Sequence, residues 1–274
     1  MTTDRNFDDL AHRFKRNVYD RLKGQIRLAV LKRDLGESIP AFRGLLDSPQ
    51  NPDSDDGASL DSFRAALQIL DAGGGQGQLA VELARLGHSV DLCDISANML
   101  ELARDLFASQ SQRGNFIHDS IQNHCHEHTQ DYDVVLCHAV LEWVAEPQAL
   151  LEALLLALKP GGYLSLTFYN VNGIVMKNLL RANFSKIING DYRGYRGSLT
   201  PTWPRHIDEV RGWLARFELA PICHSGIRCF HDYILEPEHR LVSPEQQLML
   251  ELKLSREEPF RSLGRYIHLL VRKI

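Results

Sequence analysis

Residues 70–77 read Leu70-Asp71-Ala72-Gly73-Gly74-Gly75-Gln76-Gly77, and this stretch decides the fold. It follows a short apolar run typical of a strand, and a helical pattern comes after it. Glycines at the end of a strand let the backbone turn sharply and approach a ligand closely. Ligands of open α/β sheets bind at the carboxyl ends of the strands. The stretch therefore predicts a ligand site at the end of the first strand of an α/β sheet.

The spacing of these glycines distinguishes between classes of cofactor. The dinucleotide fingerprint is GxGxxG, whereas the sixth position counted from Gly73 is Gln78, so the pattern here is GxGxG. Asp94 ends the second predicted strand, seventeen residues after Gly77. A carboxylate there can accept hydrogen bonds from both ribose hydroxyls of an adenosine cofactor. The pattern resembles motif I of class I methyltransferases; the alternative is a structural turn in another doubly wound domain.

Strands and helices alternate regularly in the middle of the chain. Apolar runs predict strands at 66–70, 89–93, 115–118, 132–137 and 163–168, and helical patterns lie at 79–86, 97–107 and 148–158. A terminal strand at 264–271, a weaker candidate strand at 229–234 and a helix near 207–217 follow. Such alternation is typical of a parallel sheet with helices on both faces. We therefore predict an α/β, Rossmann-like fold with a mostly parallel, seven-stranded sheet.

The flanking segments add to this domain. Apolar residues at three- and four-residue spacings predict a helix from residue 7 to about 35, and residues 46–62 are rich in Asp, Ser, Pro and Gly, as in a surface loop. After Asn170 the alternation stops. We assign residues 1–45 to an N-terminal helical cap, residues 63–274 to the α/β domain, and residues 171–218 to an insertion after strand five that recognises the substrate.

The composition limits the class of protein. The chain has 274 residues, of which 44% are hydrophobic, and a formal net charge of −4. No run of about 18 apolar residues is present, and the polar first residues lack the core of a signal peptide. Five cysteines are scattered without a CxxC pair, which favours reduced thiols. We therefore expect a cytoplasmic protein that does not enter a membrane.

Positive charge is concentrated in two segments, although the chain is acidic overall. Residues 1–43 contain ten Lys and Arg against six Asp and Glu, and residues 177–216 contain eight against three. Nucleic acid can bind such segments locally. Ordinary solvated helix faces are the simpler interpretation of the charge alone. The charge pattern leaves both interpretations open.

One segment has the residue types of a metal site. It reads His124-Cys125-His126-Glu127-His128. Four ligands complete a typical structural zinc site, and no second cluster in the sequence supplies the rest. We therefore expect a solvated polar segment and no metal.

Further blocks point to a narrower family. They are Arg5-Asn6-Phe7-Asp8-Asp9, Lys23-Gly24-Gln25-Ile26-Arg27, His138-Ala139-Val140-Leu141-Glu142-Trp143-Val144, Phe168-Tyr169-Asn170, Phe230-His231-Asp232-Tyr233 and Leu263-Gly264-Arg265-Tyr266-Ile267-His268, whereas Lys159-Pro160-Gly161-Gly162, a predicted turn into strand five, supports only the broader class I fold. With the glycine stretch, they resemble bacterial tRNA 5-carboxymethoxyuridine methyltransferases, which are class I S-adenosylmethionine-dependent enzymes. The resemblance extends from residue 4 to about residue 273. Two features depart from the family: the 46–62 loop looks longer, and the basic loop at 190–196 is rich in Gly and Tyr.

The resemblance implies a reaction, a cofactor and a set of contacts. The enzyme would methylate the carboxylate of 5-carboxymethoxyuridine at the wobble position of tRNA, with S-adenosylmethionine as cofactor and tRNA carrying that nucleoside as partner. Carried over by motif, the cofactor contacts are Arg27, Gly73, Gly74, Asp94, Ile121, Gln122 and His138. Candidate contacts to the modified uridine are Tyr19, Lys23, Tyr169 and His231. A carboxylate is already ionised at neutral pH, so we assign no general base.

The basic segments acquire a role under this interpretation. The residues expected to follow the phosphate backbone are Arg13, Lys15, Arg16, Arg193, Arg196 and Arg205, which makes the N-terminal segment RNA-facing. Two alternatives remain open. One is a methyltransferase for a small carboxylic acid or a quinone-like molecule, and the other is a non-catalytic cofactor-binding module that recruits an RNA-modifying partner.

Overall fold

A computed structural model describes residues 22–46, 66–192 and 201–274. A seven-stranded sheet with the order β3-β2-β1-β4-β5-β7-β6 forms its centre. The strands are β1 Gln68–Ala72, β2 Ser89–Asp94, β3 Asn115–His118, β4 Tyr132–His138, β5 Leu158–Tyr169, β6 Leu219–Ile227 and β7 Tyr266–Lys273. The first five strands are parallel, and β7 runs antiparallel to both of its neighbours. The predicted α/β fold with a mostly parallel, seven-stranded sheet is confirmed.

Helices cover the sheet on both faces. They are α1 Leu22–Ser38, α2 Gln78–Arg85, α3 Ala97–Ser109, α4 Ile121–Glu127, α5 Pro147–Ala157, α6 Val171–Leu179, α7 Phe184–Ile188, α8 Ile207–Leu214, α9 Pro244–Leu254 and α10 Phe260–Leu263, with a 3-10 turn at Pro40–Leu45. Alternate strand residues face opposite sides. Leu70 and Val135 pack with α4, α5 and α8. Ile69 and Val134 pack with α1, α2 and α3. No helix of these described residues is both long and apolar enough to cross a membrane.

The N-terminal segment is part of this packing. Ile26, Val30, Leu31 and Leu35 of α1 are buried and recur at the spacing of one helix face. This face joins the apolar core beside β1, and α1 also lies against β6 and α9. The described part of the predicted N-terminal helix therefore belongs to the same folded unit as the sheet. Residues 1–21 and most of the predicted 46–62 loop lie outside the described residues.

The sixth strand differs from the prediction. The weaker candidate strand at 229–234 is wrong, because this segment contains a 3-10 turn, His231–Tyr233, while the strand is β6. The buried carboxylate of Glu251 accepts the backbone N–H groups of Cys229, Phe230 and His231, so these donors do not pair with a strand. β6 escaped prediction because it is an edge strand whose first half is exposed or half-buried.

The first residues of two strands also differ from the prediction. β1 begins at Gln68 rather than at residue 66, and β5 begins at Leu158 rather than at residue 163. The predicted turn at Lys159–Gly162 therefore falls inside the first part of β5. Gly161 there has a φ of +79°, a conformation that favours glycine. The carboxyl ends of β1, β2, β4 and β5, where the site lies, are close to their predicted positions.

Candidate cofactor and substrate site

The glycine turn after β1 forms a cradle that side chains would fill. The Gly73 N–H donates to the carbonyl of Cys93 at 2.8 Å, which ties the turn to β2. Gly73 has a φ of +70°, and a Cβ placed there would lie 2.5 Å from a methyl group of Val140. A Cβ at Gly74 would lie 2.6 Å from the carboxyl group of Asp71. Both positions therefore require glycine, and the exposed backbone is free to approach a ligand closely.

Asp94 is fixed beside this turn at the end of β2. Its Oδ2 accepts the Gly75 N–H at 3.0 Å, and its Oδ1 accepts the Ser96 N–H at 2.9 Å. A carboxylate that accepts backbone N–H groups is held in one orientation. This geometry suits the predicted contact to ribose hydroxyls, which stays a prediction.

Two further predicted cofactor contacts, Ile121 and Gln122, lie next to the glycine turn. Ile121 is buried at the start of α4, and its Cδ1 lies 3.6 Å from where a Cβ on Gly73 would be. Gln122 follows it and is half-buried. Ser120 caps the helix by accepting the Asn123 N–H, which fixes its first turn. An apolar and a polar side chain are thus placed together at the edge of the cradle.

A chain of hydrogen bonds runs from His138 across the sheet. His138 Nε2 lies 2.8 Å from Ser165 Oγ, which lies 2.9 Å from His268 Nε2, and His268 Nδ1 lies 2.8 Å from Asp34 Oδ2. Ser165, His268 and Asp34 are fully buried. The serine hydroxyl has one proton, so it donates to one imidazole and accepts from the other. The tautomers of the two histidines are therefore coupled, and the orientation of the His138 ring is fixed.

Arg27 lies close to His138. Its Nη2 is 3.5 Å from the His138 carbonyl oxygen, and its guanidinium lies 5.8 Å from the centre of the Tyr266 ring. Arg27 is half-buried on α1. The buried face of α1 belongs to the same apolar cluster as residues of β4 and β7. Arg27 is a predicted cofactor contact, and a half-buried guanidinium in this position can form a bidentate contact with a ligand carboxylate.

Two buried carboxyl groups lie near Arg27. Burial raises the pKa of Asp71 to about 7, against the lowering effect of Arg27, and nearby Asp94 raises it further. Burial also raises the pKa of Glu142 to about 7, against the lowering effects of the backbone N–H groups of Glu142 and Tyr169 and of Arg27 and Arg205. Within the described residues, no side chain forms a hydrogen bond with either carboxylate oxygen of Glu142. Buried carboxyl groups of this kind are stabilised by a cation, so the cradle fits a cofactor that carries positive charge.

The candidate substrate contacts separate into two groups. Lys23 and Tyr169 lie near one buried carboxylate, Asp232: the Lys23 Nζ is 3.5 Å from it, and Tyr169 is the buried last residue of β5. His231 is buried, and its Nδ1 lies 2.8 Å from the Gln247 side chain, so its ring is directed towards α9. Tyr19 lies outside the described residues.

The prediction that Arg205 follows the phosphate backbone is wrong. Its side chain is 9% exposed, and it donates to the carbonyl oxygens of Leu141 and Val144. Its guanidinium also lies 5.5 Å from the ring centre of Trp213. Arg205 therefore holds the loop after β4 in place. The other five cations expected on the phosphate path lie outside the described residues.

The histidine-rich segment forms α4 and the residue after it. His124 bonds to the Tyr132 hydroxyl at 2.7 Å, and His128 pairs with Asp131 at 2.9 Å. A different group, Asp34, Cys223 and His268, brings potential metal ligands within 4.8 Å of one another in the described residues. Asp34 already pairs with two guanidinium groups, so its charge is compensated without an ion.

Sequence reasoning missed four residues of the site: Asp71, Glu142, Ser165 and His268. Asp71 and Glu142 lie within motifs quoted above, but the motifs alone assign no role to their carboxyl groups. Ser165 interrupts the apolar run of β5, and such a polar residue inside a buried strand is the signal that would have identified it. The coupling of Ser165 to His268 was invisible because the two residues are 103 positions apart.

Comparison with known proteins supplies the family context. The family described as "Methyltransferase domain" matches residues 70–164. The tRNA 5-carboxymethoxyuridine methyltransferase of Escherichia coli (strain K12) is 39% identical over 272 residues, which is 98% of this chain and 97% of that protein. The ubiquinone biosynthesis O-methyltransferase of Klebsiella pneumoniae is 35% identical, but over 39% of this chain and 44% of that protein.

The fold has a solved counterpart of similar size. The crystal structure of magnesium protoporphyrin IX methyltransferase from Synechocystis PCC 6803 superposes with a TM-score of 0.58 at 14% identity, covering 98% of this chain and 96% of that one. At this identity the similarity establishes the fold alone.

Proposed function

Because this chain belongs to the family of bacterial tRNA 5-carboxymethoxyuridine methyltransferases, we propose that it methylates the carboxylate of 5-carboxymethoxyuridine at the wobble position of tRNA. The product is the methyl ester, 5-methoxycarbonylmethoxyuridine. The cofactor is S-adenosylmethionine, as in other methyltransferases of this fold. For a tRNA substrate we expect the reaction to take place in the cytoplasm.

The observation that carries the substrate assignment is identity along nearly the whole chain. The generic methyltransferase domain ends at residue 164, and the ubiquinone enzymes align over less than half of this chain. The tRNA enzyme also aligns over α1, which holds Lys23, and over the residues from the end of β5 to β7, which hold Tyr169 and Asp232. The similarity therefore favours tRNA over a small acid.

The residues around the cradle suit the cofactor. Gly73 and Gly74 leave the backbone open, Asp94 offers a fixed carboxylate for ribose hydroxyls, and Arg27 offers a guanidinium for the carboxylate of the methionine part. Asp71 and Glu142 favour positive charge next to these contacts. When bound, the cofactor supplies an electrophilic methyl group, and the electron pair of the broken carbon–sulfur bond stays on sulfur.

The acceptor needs orientation rather than activation. A carboxylate has an ordinary pKa of about 4, so it is an anion with free lone pairs at neutral pH. The protein therefore has no proton to remove, and it accelerates the reaction by holding the oxygen in line with the methyl carbon.

A direct assay tests this function. Purified protein and methyl-labelled cofactor are incubated with tRNA that carries 5-carboxymethoxyuridine, with the same tRNA carrying unmodified uridine, and with a panel of small carboxylic acids. We expect label in the first RNA alone, recovered as the methyl ester by nucleoside mass spectrometry. Transfer to a small acid at an equal rate would replace the tRNA assignment. No transfer to any acceptor, with the cofactor bound, would favour a non-catalytic module.

Salt dependence tests the contact with the RNA backbone. The basic segments at 1–43 and 177–216 are expected to contact several phosphates, so the affinity for tRNA should fall steeply as salt rises. Filter-binding or fluorescence titrations between about 50 and 200 mM salt measure the slope. Affinity that does not change with salt would exclude these phosphate contacts.

A further inference from the structure

A group of cations surrounds one buried carboxylate beside the cofactor cradle. Asp232 is 4% exposed, and it lies 3.0 Å from Arg228 Nη2, 3.5 Å from Lys23 Nζ and 4.0 Å from Arg265 Nε. Lys177 on α6 is close enough for Asp232 and Arg265 to influence its pKa, which burial lowers to about 8. We call Lys23, Lys177, Arg228 and Arg265 with Asp232 the cation cluster. In the described residues, four cations therefore face Asp232, and the buried carboxyl group of Glu251 is a second acidic group that acts on Arg228.

Two guanidinium nitrogens of the cation cluster have no partner within the described ranges. They are Arg228 Nε and Arg265 Nη1, and neither is accessible to solvent. Asp232 Oδ2, the one oxygen that both side chains approach, also makes no hydrogen bond to a described residue, so two unused donors face one unused acceptor. The two side chains are 15% and 11% exposed. Buried donors in folded proteins are nearly always hydrogen-bonded, and buried charge is nearly always compensated. An excess of positive charge with two unused donors therefore indicates that an anionic ligand completes the group.

Two tyrosines join the cation cluster to the cofactor cradle. The Arg265 guanidinium lies 4.6 Å from the ring centre of Tyr169, and that of Arg228 lies 5.4 Å from the ring centre of Tyr266. The two rings meet edge to face at 5.1 Å. Arg27, a predicted cofactor contact, lies near the same Tyr266 ring. The cations are therefore one aromatic ring away from the cofactor side of the site.

We propose that Arg228 and Arg265, assisted by Lys177, bind the carboxylate of the modified uridine and select it over neutral wobble nucleosides. This inference rests on the proposed function, because the ligand is the acceptor of that reaction. A guanidinium is the side chain best suited to a carboxylate. The unused N–H groups belong to two different side chains, which suits a ligand with two oxygens.

The arrangement also avoids holding the acceptor too tightly. A bidentate pair with one uncompensated arginine would stabilise the ground state and raise the barrier to attack. Asp232 forms ion pairs with Arg228 and Arg265 and so compensates part of their positive charge. Each guanidinium therefore interacts less strongly with the ligand. Single N–H contacts also leave lone pairs on the carboxylate oxygens for the reaction.

The test compares the affinity for three tRNAs that differ only at the wobble base. They carry 5-carboxymethoxyuridine, 5-methoxyuridine or unmodified uridine, and they are titrated against the full-length wild-type protein, Arg265→Gln and Arg228→Gln. The matched control is Arg272→Gln, because Arg272 lies 5.8 Å from the ring centre of Tyr163 at the opposite end of β5. Wild type should bind the carboxylate-bearing tRNA at least about tenfold more tightly than the other two.

The expected result is specific to the carboxylate. Arg265→Gln and Arg228→Gln should lose the preference for the carboxylate-bearing tRNA, while their binding of the two tRNAs with a neutral wobble base is unchanged. Arg272→Gln should keep the preference. Equal weakening for all three tRNAs would overturn the proposal and assign the cations to a phosphate. An unchanged preference in both variants, or none in wild type, would also overturn it.

Two further measurements keep the test independent of folding and of the proposed function. If either arginine variant fails to fold, Lys177→Gln replaces it in the test, because Lys177 is only half-buried. This variant should lower the same preference about threefold to tenfold. Wild-type methylation of the carboxylate-bearing tRNA is measured in parallel. Absence of that activity counts against the proposed function, whereas activity with an unchanged preference in the variants counts against the cation cluster alone.

Discussion

Replacement of Asp71 by Asn is expected to stabilise the protein while it weakens cofactor binding. Asp71 is 5% exposed at the end of β1, and burial raises its pKa from 3.8 to about 7. The folded state therefore favours the neutral carboxyl group. Asn has nearly the same shape as that neutral form, so the substitution removes the penalty of ionisation with little change in packing.

The size of this penalty follows from the two pKa values. It is small below pH 4, grows as the pH rises from the unfolded pKa to the folded one, and is constant above about pH 7. With 3.8 and about 7 as the limits, at about 1.4 kcal/mol for each pH unit, the penalty is about 2 kcal/mol at pH 5 and about 4 kcal/mol at pH 8. Asp71→Asn should therefore stabilise the cofactor-free protein, and by more at pH 8 than at pH 5.

Binding should change in the opposite direction. The ionised carboxylate favours a cationic ligand, and at a pKa of about 7 it is ionised in about a tenth of the molecules at pH 6 and in most at pH 8. Wild-type affinity for S-adenosylmethionine should rise about tenfold over this range. Asp71→Asn should bind the cofactor more weakly, and its affinity should depend less on pH. The remaining pH dependence should disappear when Glu142→Gln is added.

Urea unfolding without cofactor and calorimetric titration of the cofactor, each at pH 5, 6, 7 and 8, measure the two effects. The matched control is Asp105→Asn, at an exposed aspartate on α3. The control should change neither quantity. A loss of stability in Asp71→Asn at pH 8, or the same stability difference at pH 5 and pH 8, would refute the electrostatic argument.

The other predictions concern the cradle and its supports. Gly73→Ala should abolish cofactor binding because its Cβ meets Val140 at 2.5 Å, whereas Gly87→Ala, also at positive φ but in open space, should cost about 1 kcal/mol in an unfolding titration and leave binding intact. Equal loss of binding in both would show that backbone strain alone matters. Asp94→Asn should weaken cofactor binding about tenfold or more by calorimetry and cost about 1–3 kcal/mol of stability, because its amide nitrogen cannot accept one of the two backbone N–H groups; wild-type affinity would remove Asp94 from the cofactor site. Ser165→Ala should destabilise the protein by about 1–3 kcal/mol in urea, since two buried imidazole nitrogens lose their partner, and a neutral result would mean that this hydrogen-bonded chain is not structural.

The sequence predicted the part of the site that depends on local pattern. The glycine stretch, the end of β2 and the start of α4 each follow a strand with strong apolar periodicity, so Gly73, Asp94 and Ile121 could be placed at one edge of the sheet. The parallel sheet then brings these ends together, because parallel strands present their carboxyl ends on the same side. Local turn chemistry and topology were sufficient for this half of the site.

The other half could not be predicted, because it depends on contacts between distant residues. Asp34 and His268 are 234 positions apart, and their hydrogen bond exists only because α1 packs against β7. Arg205 looked like a phosphate contact because a cation in a basic segment is usually solvated. Its burial against carbonyl oxygens depends on the path of the loop after β4. Charge patterns along a chain do not distinguish a solvated arginine from a buried one.

The charges on the two sides of Tyr266 are arranged for a reaction that cancels charge. Asp71 and Glu142 favour a cation on the cofactor side, and the cation cluster favours an anion on the acceptor side. Methyl transfer to a carboxylate removes the positive charge from the donor and the negative charge from the acceptor. The ester is then neutral at the atoms that the cation cluster recognises, so it should leave more readily than the acid from which it forms. The positive charge that selects the acceptor therefore favours release of the product, because it interacts with the charge that the reaction consumes.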